Sequence, residues 1–75
     1  MNKDRRRQLR LWIEKAEALK SELEDILWDE QNYYDNIPEN LQYSSRATDS
    51  EEAINSMEAA IEIFSEAIDE VEGIW

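Results

Sequence analysis

From Ile54 to Trp75 the chain carries an unbroken heptad of apolar residues: Ile54, Met57, Ile61, Phe64, Ile68, Val71 and Trp75. The spacing alternates three and four, which is the repeat of a helix with a single apolar seam. The same segment is acidic and holds no Lys or Arg. Alanines run beside the seam at Ala53, Ala60 and Ala67. A seam of this kind needs a partner helix, and the first half of the chain supplies one. Leu9, Trp12, Ala16, Leu19, Leu23, Ile26 and Tyr33 keep a heptad, with Glu30 as its polar member. Ile13, Leu27 and Tyr34 widen that stripe on one side, beyond what a two-stranded coiled coil uses.

These patterns predict an all-α chain, an antiparallel two-helix hairpin in one domain over residues 1–75. The first helix is expected from about Lys3 to Tyr34, a loop over 35–47, and the second helix over about 49–72. Pro38 disfavours helix at Ile37 and marks the loop. Thr48 with Glu51 fits a capping box, and Asp49 and Ser50 compete with Thr48 as N-caps. Gly73 suits the residue after the last helical turn, with Ile74 and Trp75 folding back or capping the seam. A loop of this length either folds onto its own surface or carries function. Asn36, Asn40, Gln42 and Arg46 supply its hydrogen-bonding groups, and Ile37, Pro38 and Leu41 its anchors. Trp28 lies off the seam. Cover by Leu41 or Tyr43 is expected, with an exposed binding anchor as the alternative.

Seventy-five residues bury little on their own: apolar burial and ordering entropy nearly cancel at this size. Two hairpins pairing into a four-helix bundle would cover the over-wide stripe, so a homodimer is expected. The Ala column would let two backbones approach closely, although Ala also simply favours helix.

The net charge is −11, but it is unevenly spread: residues 1–20 carry +4 and residues 21–75 carry −15. Direct binding to nucleic acid or to an anionic membrane is not expected of such a chain. Antiparallel docking would set Arg5, Arg6, Arg7 and Arg10 beside Glu66, Asp69, Glu70 and Glu72. No apolar run reaches the length of a membrane span, and no signal peptide is expected. The lack of Cys is compatible with a reducing cytoplasm.

With neither His nor Cys, Ser-His and Cys-His catalysis, thiolate or imidazole metal sites and the usual di-iron bundle are excluded. Carboxylates alone could hold Mg²⁺ or Ca²⁺. Glu58, Glu62, Glu66 and Asp69 share one helical face, but that spacing is equally a solvated stripe. No EF-hand or glycine-rich phosphate loop is present. The expectation is a protein that is not an enzyme and has no metal or cofactor.

The stretch Tyr33-Tyr34-Asp35-Asn36-Ile37-Pro38-Glu39-Asn40-Leu41-Gln42, followed by Ser45-Arg46 and Ser50-Glu51-Glu52-Ala53-Ile54, resembles a block found in small acidic helical proteins of phages and prophages of Gram-positive bacteria. Those proteins have no assigned function, so the resemblance implies a setting rather than an activity. Tyr43 departs from it, standing where a small residue such as Gly is expected. Two function classes follow. One is a protein-interaction module binding a host or phage protein, with Trp28, Tyr34, Asn36, Pro38, Asn40, Gln42 and Arg46 as contact candidates. The other is an acidic DNA mimic inhibiting a nucleic-acid-binding defence protein, with Glu58, Glu62, Glu66 and Asp69 as its charged face.

Overall fold

A computed structural model describes residues 2–74 of the chain; Trp75, the last member of the expected seam, lies outside them. Helix α1 runs Lys3–Asp35, a single 3-10 turn spans Glu39–Leu41, and helix α2 runs Ser45–Glu72. The two helices pack antiparallel as a hairpin, 60 Å long and 15 by 13 Å across between Cα atoms.

Each helix end is tied locally. Asn2 caps α1, its side-chain oxygen accepting from the Arg5 N–H at 2.8 Å. At the other end the Asn36 N–H donates to the carbonyls of Asn32 and Tyr33, both at 3.2 Å. The Asn36 side-chain amide also donates to the Asn32 carbonyl at 2.8 Å. Ile37 then turns in and is buried, closing the end of the seam. The Pro38 carbonyl accepts from the Leu41 N–H at 2.8 Å, so the proline opens a turn, as its fixed φ favours.

The loop is shorter than expected, because α2 begins at Ser45 and not near Thr48. Ser44 is the N-cap: its hydroxyl accepts from the Ala47 N–H at 3.4 Å and donates to the Leu41 carbonyl at 2.6 Å. Ala47, in the extra turn, is only 2% exposed. Thr48, Asp49 and Ser50 therefore lie inside the helix. At the far end α2 stops at Glu72 as the sequence suggests, but Gly73 has φ −76°. Its conformation is right-handed, so the chain ends the helix there without using the left-handed freedom of glycine.

The inward face of α2 is the predicted one, from Ile54 through Met57, Ile61, Phe64 and Ile68 to Val71, extended by Ala47 and Ser50. The inward face of α1 differs. Leu9, Ala16, Leu23 and Glu30 do face the partner, but the column that alternates with them is Ile13, Lys20, Leu27 and Tyr34. Trp12, Leu19, Ile26 and Tyr33, expected in the seam, are instead 42–56% exposed. A seam between two helices admits two columns, and α1 carries three. Lys20 belongs to the inward set. It lies half-buried in a groove with Glu17, Glu24, Asp69 and Glu72.

Facing residues set the register. The Gln31 amide donates to the Glu58 carboxylate at 3.4 Å, and Glu17–Glu24 share their groove with Ser65–Glu72. Among the described residues no ion pair joins Arg5, Arg6 or Arg7 to Glu66, Asp69, Glu70 or Glu72, unlike the expected pairing. The first turns of α1 run on past the last turn of α2. Arg7 pairs locally with Asp4 at 3.9 Å; both side chains are exposed, and such pairs contribute little.

Ile68, 4% exposed, is the largest well-buried side chain of the seam. Ile68→Ala should destabilise by about 2–4 kcal/mol, the cost of deleting a buried aliphatic chain, read as a lower midpoint in urea. Gly73→Ala should do the opposite. A Cβ there meets only ordinary contacts at 3.6 Å, so the lost freedom of the unfolded chain should raise stability by about 0.4–1 kcal/mol.

Candidate functional site

In an antiparallel pair the residues flanking the seam meet like with like, so the two flanks of the hairpin are built independently. On one flank α1 contributes Glu17, Glu24 and Gln31 and α2 contributes Glu51, Glu58 and Glu72, joined across the seam by the Gln31–Glu58 hydrogen bond. On the other flank Tyr33 shares a groove with Arg46, Asp49 and Ala53. Heptad steps from there carry the surface along Ile26, Leu19 and Trp12 on α1 and along Ala60 and Ala67 on α2. One flank is acidic and polar; the other is apolar, with large side chains on α1 and small ones on α2.

The interaction candidates do not form one site. Trp28 and Tyr34 line an open groove of about 400 Å³ on the acidic flank, with Glu51 and Ile54 also in its wall. Trp28 is 64% exposed and Tyr43 is 98% exposed, so Tyr43 gives Trp28 no cover; Leu41 is itself exposed and does not line the Trp28 groove. The expected cover is thus replaced by the alternative, an exposed Trp. Arg46 lies on the apolar flank, near Tyr33 and also near Leu41 and Ser44. Asn36 is committed to the cap of α1 through its side-chain amide. Pro38, Asn40 and Gln42 are exposed in the turn.

Glu58, Glu62, Glu66 and Asp69 are all exposed, on the outward side of α2. They share one face, as their spacing implies. Among the described residues no group of three or more carboxylates is gathered closely enough to hold a metal ion, and no helix is long and apolar enough to cross a membrane.

The sequence reading passed over one polar contact. Ser50 is buried, and its hydroxyl donates to the Glu30 carboxylate at 2.6 Å. This explains the polar break in the α1 heptad: Glu30 points at α2 and its charge finds a donor there. The signal was present in each helix separately, as Glu30 in one seam and Ser50 one heptad step before Met57 in the other. Pairing them required the register.

Comparison with protein-family models, with curated proteins and with solved structures finds no match to this chain.

Ser50→Ala should cost about 1–3 kcal/mol, because it leaves the half-buried Glu30 carboxylate without its donor. Combining it with Glu30→Leu should recover most of that loss, since replacing both partners by apolar groups removes the desolvation term as well. A double-mutant cycle by urea unfolding measures the coupling; simple additivity would show that the hydrogen bond is not energetically linked.

Proposed function

We propose that the chain is a non-enzymatic protein-interaction module, a hairpin that self-associates into a four-helix bundle and offers a second surface to another protein. The supporting observation is the amount of large apolar surface that the hairpin leaves in water. Trp28 stands open on the acidic flank and Tyr43 at the turn, apart from the apolar flank that a second hairpin would cover. Trp and Tyr are the side chains enriched at binding hot spots. Trp28 rims a groove with the polar wall of Gln31, Asn32 and Asp35, a suitable seat for an apolar anchor from a partner ringed by hydrogen-bond donors. In the setting implied by the resemblance of residues 33–54, the partner is a host or phage protein in a bacterial cytoplasm.

A second reading is charge mimicry of DNA. It is favoured by the exposure of the Glu58, Glu62, Glu66 and Asp69 face on a continuous helix. Their spacing is sparse beside a charge every 3.4 Å on one DNA strand, which is why it ranks second.

The two readings separate by mutation. In capture of partners from the native host, Trp28→Ala and Tyr43→Ala should abolish retention, while Gln at all four acidic positions should leave it intact. The reverse pattern, with retention lost in rising salt and in competition with duplex DNA, would replace the first reading by the second.

A further inference from the structure

The apolar flank is the largest feature that the hairpin itself leaves unused, and its composition states what covers it. Trp12, Leu19, Ile26 and Tyr33 form a column of large side chains, each 42–56% exposed. Beside them on α2 run Ala53, half-buried, with Ala60 and Ala67 exposed. Tyr33 and Ala53 line one groove. Antiparallel heptads keep step, so Ile26 is level with Ala60 and Leu19 with Ala67. A second hairpin rotated about a two-fold axis parallel to the helices would lay α1 on the partner's α2 at the same levels. Leu19 would then sit on the partner's Ala67, Ile26 on the partner's Ala60 and Tyr33 on the partner's Ala53. Large meets small at every level, in both directions at once, as an isologous interface requires.

Charge selects the same arrangement. Helix α1 carries nine acidic and seven basic side chains, and α2 nine and one. With both loops at the same end, each α2 neighbours only α1 helices, and the two strongly acidic helices lie on a diagonal. Lys15 at the rim also comes level with the partner's Glu70. With loops at opposite ends, α1 would stack on α1 and α2 on α2. The acidic helices would then be closest together where the alanines permit the nearest approach.

We infer that the Trp12-Leu19-Ile26-Tyr33 flank is a homodimer interface, with α1 of each copy seated on the alanine column of α2 of the other and both loops at one end. This rests on the self-association proposed above, and the test keeps the two apart. The chain has no cysteine, so single cysteines report contacts cleanly. Ile26→Cys protein and Ala60→Cys protein are mixed, equilibrated and oxidised. A covalent dimer in that mixture, several-fold above either protein alone, supports the geometry. If instead a mixture of Leu19→Cys and Ile26→Cys cross-links, the loops are at opposite ends and the geometry is overturned while self-association stands. In parallel, Leu19→Lys with Ile26→Lys alters side chains that are more than half exposed in the hairpin, so helical circular dichroism should be kept. The dimer dissociation constant should rise by at least about 100-fold in sedimentation equilibrium. A parent protein that sediments as a monomer at micromolar concentration would overturn both the interface and the self-association beneath it. A parent dimer unaffected by the lysines would place its interface elsewhere.

Discussion

A seam between two helices has room for two columns of side chains, and α1 brings three. Most of the architecture follows from that mismatch. The columns of Leu9 and Ile13 turn inward, and the column of Trp12 is left on a flank. The core that results is thin. Its well-buried members are Ala16, Ile37, Ala47, Ser50 and Ile68, and none of the described large side chains is fully enclosed. Phe64, central in the α2 heptad, is only half-buried. Two packed helices cover a ring on the side they share and leave its outer edge to solvent.

Polar groups reinforce the rotation that the apolar columns leave open. Glu30 reaches across to the Ser50 hydroxyl, and Lys20 sits among carboxylates on the opposite flank. A rotation of α1 that turned Trp12 and Ile26 inward would swing Lys20 away from that acidic groove. Buried or half-buried polar contacts of this kind contribute modestly to stability, but they penalise the alternative packing. They act here as register and rotation marks on two helices whose apolar stripes alone would tolerate more than one arrangement.

The loop shows local and tertiary effects acting together. Asn36 closes α1 with its own side chain, Ile37 closes the seam, and Ser44 opens α2. The early start of α2 at Ser45 goes with the Ser44 cap and with the burial of Ala47 in the first turn. The result leaves Trp28 and Tyr43 without mutual cover, and so separates the interaction candidates between two flanks and a turn.

The sequence by itself determined the all-α hairpin, the inward face of α2 and the end of α2 at Glu72, because a period of three and four over long, nearly glycine-free segments allows little else. It also located the acidic outer face of Glu58, Glu62, Glu66 and Asp69, which follows from spacing on a single helix. Only the tertiary structure decided which of three apolar columns on α1 faces its partner, since that depends on the rotation of one helix against another. It alone paired Glu30 with Ser50 and moved the start of α2 to Ser45. Each of these rests on which residues meet across the seam, and periodicity fixes the faces of a helix without fixing the level at which two faces meet.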